Sequence, residues 1–192
     1  ITQGAYMDLT AFNIASGNTG YGELIRDPKG IVNLPKGFSY RMISKAGEMM
    51  DDGLVVPGLH DGTAAFEGSD ENEVILIRNH ELENTHPHLG AFGNKNAYLS
   101  KIDRSLFYDY GGGQKPALGG TTTIIYNEDT GEVKRHYMSL FGTMRNCAGG
   151  KTPWNTWITC EESVVKADGV LEKDHGYNFE VKASSTIDVS KP

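Results

Sequence analysis

The segment that most constrains the fold is Gly120-Thr-Thr-Thr-Ile-Ile-Tyr-Asn127, followed by Glu-Asp-Thr-Gly131 and then Glu132 to Leu140. Two runs rich in β-branched and aromatic residues, separated by an Asp-Thr-Gly turn, specify an antiparallel hairpin. The same grammar recurs along the chain. Glu73-Val-Ile-Leu-Ile-Arg78 is the most hydrophobic run and reads as a buried strand, fed by the polar turn Gly68 to Asn72. His60 to Phe66 is a turn-then-strand unit, and Asp51 to Pro57 reads as a turn with a short strand. Leu34 to Ser44 sets Phe38, Tyr40 and Met42 against polar neighbours, a period of two that predicts a half-buried strand. Gly142 to Ala148 and Thr156 to Glu162 form another pair, and Gly176 to Lys182 is a return strand.

Residues 1–36 are glycine-rich and irregular, with a strand beginning near Gly30 to Leu34. Thr85 to Leu118 is a long loop, with a brief helical turn near Ile102 to Phe107 and a flexible Gly111-Gly-Gly113. No amphipathic helix is legible, and 24 glycines favour turns over long helices. The expected class is therefore all-β, with antiparallel strands forming the blades of a partial β-propeller, long loops and little helix. The chain, 1–192, reads as a single domain, the N-terminal part of a larger propeller. Four-stranded blades would give about two to three here, against the roughly four to eight that close a ring. The start at Ile1-Thr-Gln3, with no initiator Met, makes the lack of a signal peptide uninformative.

A net charge of -7 argues against a nucleic-acid or anionic-membrane surface, and no apolar run is long enough for a spanning helix. The same charge is awkward for an enzyme acting on phosphate anions, unless bound cations reverse the local field.

The densest chemistry lies between Arg145 and Glu162. Cys147, Glu161 and Glu162 combine a soft ligand with two hard ones, a donor set suited to calcium or ferric iron. Neighbouring strand residues point to opposite faces, so both glutamates reach one site only where the strand ends or bulges. On spacing alone, a solvated Glu-Glu pair at a strand end is the stronger reading. Arg145 and Asn146 flank Cys147 and are the candidate catalytic pair; a guanidinium there can hold a phosphate oxygen bidentately, or simply pair with Glu161 or Glu162. Glu81 or His80, at the end of the buried strand, can reach a metal, and His60-Asp61 follows the same logic more weakly. His86 and His88 match no zinc spacing. Cys147 and Cys160 can form a disulfide or stay apart; Cys160 lies in an apolar run and reads as core, Cys147 at a polar turn edge.

Arg145-Asn-Cys-Ala-Gly-Gly-Lys-Thr-Pro-Trp-Asn-Thr-Trp-Ile-Thr-Cys-Glu-Glu162, followed by His175-Gly-Tyr-Asn-Phe-Glu-Val181, resembles the PhoX family of bacterial alkaline phosphatases. Arg78-Asn-His-Glu81 and Gly119-Gly-Thr-Thr122 fit the same family in order and spacing. The resemblance implies an exported β-propeller, periplasmic or secreted, that hydrolyses phosphate esters with ferric iron and calcium at the centre of the ring. It implies that Cys147 ligates iron, with Glu162 as the preferred glutamate ligand and Glu161 second; Glu81, from its place at the strand end, is the further metal candidate. It implies a phosphate-ester substrate and, if 192 residues were the whole protein, an inactive fragment in need of the rest of the chain or of further copies. Two other readings stay open: a non-catalytic PhoX-like propeller or assembly module, and a secreted calcium- or carbohydrate-binding β domain.

Overall fold

The computed structural model describes residues 20–192, which fall into two compact units divided between Met42 and Ile43. The expected irregular course of residues 1–19 lies outside the described residues.

In the first unit, β1 (Leu24–Ile25) pairs antiparallel with β2 (Leu34–Pro35). Asp27 closes the loop between them. Its carboxylate accepts from the amides of Lys29, Ile31 and Val32 and from the Tyr40 hydroxyl at 2.7 Å. These bonds hold its pKa down at about 2, the Tyr40 hydroxyl contributing most. The half-buried strand expected over Leu34 to Ser44 is not formed beyond Pro35. Gly37 turns the chain at φ 89° and Phe38, Tyr40 and Met42 are exposed. Alternation alone cannot make a strand here, because β1 offers only two residues to pair with.

The second unit is all-β with short 3-10 turns. One sheet is a meander of β3 (His60–Glu67), β4 (Glu73–His80), β5 (Gly119–Asn127) and β6 (Glu132–Thr143), each antiparallel to the next. The other comprises β7 (Asn146–Lys151), β8 (Thr156–Glu161) and β9 (Asn178–Lys182). The β5–β6 turn follows the sequence pattern: Asn127 Oδ1 accepts from Thr130 N, and Gly131 takes φ 70°.

The two sheets share a core. Phe66, Ile75, Ile77 and Leu140 from the first pack with Trp157, Phe179 and Val181 from the second. Ser139 bulges between the pairs Thr121–Leu140 and Thr122–Met138. That extra residue sends Leu140 into this core and Met138 into a second one, which alternation without a bulge would forbid. The second core gathers Leu54, Phe92, Phe107 and Phe141 under the long connection from Glu81 to Leu118. Within that connection a 3-10 turn at Arg104–Leu106, capped by Asp103, realises the expected helical turn. Gly111–Gly113 is also a 3-10 turn; Gly111 is buried, and all three glycines have positive φ.

The strand expected within Asp51 to Pro57 reduces to one bridge, Met49 to Val55. The Asp51 and Asp52 carboxylates instead accept from His136 N (2.6 Å) and Met138 N (2.7 Å), doing along β6 what a fifth strand's carbonyls would do. Cys147 and Cys160 are both free and half-buried. Cys160, expected in the core, shares with Ile158 the outer face of β8, while Trp157 and Thr159 take the buried face. Among the described residues no helix is long and apolar enough to cross a membrane.

Candidate metal centre

Two β-bulges and one asparagine build the site. In β3 the register slips between His60 and Thr63, so Asp61 and Gly62 together face Asn79 of β4. In β7 it slips between Asn146 and Gly149, so Cys147 and Ala148 together face Cys160 of β8. A bulge bends its strand and re-aims its side chains, which frees Asp61 and Cys147 from strict alternation.

Asn79, wholly buried, ties the bulges together. Its Nδ2 donates to the carbonyls of Cys147 (2.8 Å) and Ala148 (3.0 Å), and its Oδ1 accepts from Trp157 Nε1 at 2.9 Å. Gly62 permits the approach: a Cβ there would lie 2.6 Å from the Cys147 carbonyl oxygen and 3.2 Å from Asn79 Nδ2.

The result is a convergent donor set. Ligand atoms of Asp61, Glu81 and Cys147 all lie within 4.8 Å of one another. Glu81 follows the end of β4, its amide bonded to the carbonyl of Leu59, itself at φ 45°. Arg145, the link between β6 and β7, has φ 52°, a conformation that is costly for a side chain of this size. Its amide donates to Leu82 O, and its carbonyl accepts from Glu162 N. The guanidinium Nη2 bonds Glu81 at 3.1 Å and Glu162 at 2.8 Å, with Glu83 3.5 Å from Nε. These carboxylates, the Glu81 hydrogen bond first, raise the Arg145 pKa. Burial and then Asp61, Glu162 and Glu81 push the Cys147 thiol up.

Glu81, Glu83 and Glu162 thus surround a single guanidinium, and Asp61 adds a fourth carboxylate beside Glu81 and Cys147. This excess of negative charge, held on converging oxygens beside a thiol, is the environment a bound cation would neutralise. The donor set fits a metal ion of hard or intermediate character, and the thiol would lose its proton on ligation.

The other residues singled out in the sequence separate from this group. Glu161 is turned away. Its fully buried carboxylate accepts from Met144 N, His175 Nδ1, Gly176 N and Tyr177 N at 2.7–3.1 Å. The solvated pair expected at the strand end is therefore split, with Glu161 inside and Glu162 outside on Arg145. Asn146 also points inward. Its Oδ1 accepts from Thr143 Oγ1 at 2.6 Å, and its Nδ2 donates to Thr159 Oγ1 at 3.0 Å, which suits a positioning role rather than contact with substrate. His80 is buried, with both ring nitrogens engaged, by Gly58 O and Thr122 Oγ1, each at 2.9 Å. His60 Nε2 lies 2.9 Å from Pro57 O, and His86 bonds within its own turn.

Asp61, weakly marked in the sequence, joins the site because of a bulge that no spacing rule reveals. His175 and Asp109 form a separate buried polar pair. His175 Nε2 lies 3.4 Å from Asp109 Oδ2, which also accepts from Lys173 N. No pairing of residues so far apart in the chain is legible from local pattern.

The sequence profile of a family described as alkaline phosphatase PhoX matches residues 19–131 and 116–192. No curated protein matches the chain. No solved structure matches it either. The two profile matches together run through all of the described residues, every strand and every member of the donor set, and the chain belongs to the alkaline phosphatase PhoX family.

Proposed function

We propose that this protein hydrolyses phosphate esters with the help of bound metal, and that Asp61, Glu81, Cys147 and Glu162 contribute to holding it. The observation that carries the reading is the convergence of Asp61, Glu81 and Cys147 within 4.8 Å, ringed by further carboxylates and one arginine. Ferric iron and calcium are the metals proposed, thiolate favouring the first and carboxylates serving both. When bound, such ions polarise phosphoryl oxygens and lower the pKa of water.

The chain's own residues do the rest. Arg145 is held beside Cys147 through their shared neighbour Glu81, so its guanidinium is pre-positioned for an equatorial phosphoryl oxygen. Its strained backbone persists because Leu82 O and Glu162 N satisfy both of its peptide groups. Asn79 and Gly62 keep β3 and β7 in register across the site. β3 and β7 would be neighbouring strands of consecutive blades, lining the axis of a propeller. Export to the periplasm or beyond belongs to the same proposal.

The test is metal analysis and phosphomonoesterase assay of the full-length protein, with Cys147→Ala and Asp61→Ala beside it. Stoichiometric iron with hydrolysis in the parent, and loss of both in the variants, is the expected result. A properly loaded parent that holds no metal and cleaves no ester would remove the reading.

A further inference from the structure

A cavity of about 580 Å³ opens beside the candidate metal centre, with roughly the volume of a site for a small organic molecule. Its walls adjoin the centre without including Asp61, Glu81, Cys147, Arg145 or Glu162. Glu83, which pairs with Arg145, is one of them; Met144 immediately precedes Arg145, and Ser163 immediately follows Glu162. Much of the remaining lining is apolar and comes from two connections, Pro87 and Leu118 from one and Val165, Val170 and Leu171 from the other, with Lys115 and Asp168 among its polar members. Leu171 packs with Ala117 and Met144, and the Asp168 carboxylate, accepting from Val170 N and Leu171 N, fixes the turn that presents it. Asn84 also lines the cavity, and its Oδ1 is buried without a hydrogen-bond partner. A buried acceptor left unpaired costs free energy, and a turn of the Asn84 side chain toward the cavity would bring it to a donor on a ligand.

We propose that this cavity binds the alcohol portion of the phosphate ester. The substrate class it selects is monoesters whose alcohol has a compact apolar body bearing an N–H or O–H donor. This rests on the proposed phosphatase reading. With the phosphoryl group at Arg145, the alcohol leaves past Met144 and Glu83 into the cavity, its apolar body against Val165, Val170 and Leu171 and its donor toward Asn84. Among the described residues no aromatic ring lines the cavity, so stacking of a nucleobase is not what these residues offer.

Val165 and Val170 are 41% and 42% exposed, so both can be changed without emptying the core. The experiment compares p-aminophenyl phosphate with glycerol 3-phosphate in the metal-loaded full-length protein and in its Val165→Asp/Val170→Asp variant. Intrinsic leaving-group reactivity cancels in the ratio of variant to parent. Expected is a fall in kcat/KM of about tenfold for the aryl ester, with less than about twofold for glycerol 3-phosphate. Equal falls for the two esters, or no fall for either, overturn the proposal. Saturation-transfer NMR with p-aminophenol separates the two readings. A protein that cleaves neither ester but binds p-aminophenol in the parent, and not in the variant, loses the phosphatase reading and keeps the cavity. Absence of saturation transfer in the parent sinks the cavity itself.

Discussion

His175 Nδ1 lies 2.7 Å from Glu161 Oε1, with both side chains fully buried. The Asp109 carboxylate lies across the ring, 3.4 Å from Nε2. Burial alone would lower the histidine's pKa, but the hydrogen bonds and charges of Glu161 and Asp109 outweigh it and raise it. The pair fastens the end of β8 to the start of β9, and so holds in place the backbone from which Glu162 reaches Arg145. A glutamate that looks like a ligand in the sequence is therefore part of the frame.

Glu161→Ala leaves His175 and three backbone amides without their acceptor. Removing one partner of a buried pair costs about 3–5 kcal/mol, and urea unfolding is expected to show a loss of that size. Glu162→Ala is expected to cost less than about 1 kcal/mol, since its carboxylate is more than half exposed, while lowering metal content. Equal stability of the two variants would contradict the buried role of Glu161.

Gly62→Ala places a methyl group against the Cys147 carbonyl, whereas Gly150→Ala, in the same pair of bulged strands, meets nothing within 4 Å. The first is expected to destabilise by about 1–3 kcal/mol and to reduce bound metal, because β7 must move away from β3. The second is expected to leave both unchanged. Thermal unfolding and elemental analysis of the two variants make the comparison.

His136 supplies a pH dependence. Burial, and then the Arg78 charge, push its pKa down from 6.5 to about 4, and its Nε2 is buried without a partner. Asp51, whose carboxylate accepts from the His136 amide, opposes the shift, and His60 adds to it. A lowered histidine pKa means that the unfolded chain takes up the proton first. Stability is then whole above about pH 6.5, falls as the pH drops through the window down to about 4, and is flat below it with respect to this group. The loss amounts to at most about 3 kcal/mol. His136→Phe is expected to flatten that part of the urea-derived stability profile.

Chelation is expected to lower the melting temperature of the parent and to leave that of Asp61→Ala almost unmoved. A metal present at about a hundredfold its dissociation constant stabilises by about 2.7 kcal/mol, provided that it binds the folded state alone. Calorimetry with and without chelator reads the difference directly.

Much of the strand layout was legible locally. The runs at Glu73–Arg78 and Gly120–Leu140 carry enough β-branched residues and turn signals to declare themselves. Phe38, Tyr40 and Met42 misled because alternation describes a strand only when a neighbour exists to accept its hydrogen bonds. Cys147 and Glu81 stood out as ligand types beside turns. Asp61 was faint, and Glu161 was over-read, because one residue of register slip decides which way a side chain points.

The amino-acid sequence by itself determined the all-β class, the hairpin turns, the family and the crowding of ligand-type residues between Arg145 and Glu162, since all of these depend on residues close in the chain. Tertiary structure alone decided which carboxylates meet Cys147. Two bulges on strands from different sheets, joined through Asn79 and made possible by the missing side chain of Gly62, bring Asp61 and Glu81 to the thiol and turn Glu161 inward to His175. Those positions depend on ladder register between segments more than sixty residues apart, which local pattern does not encode.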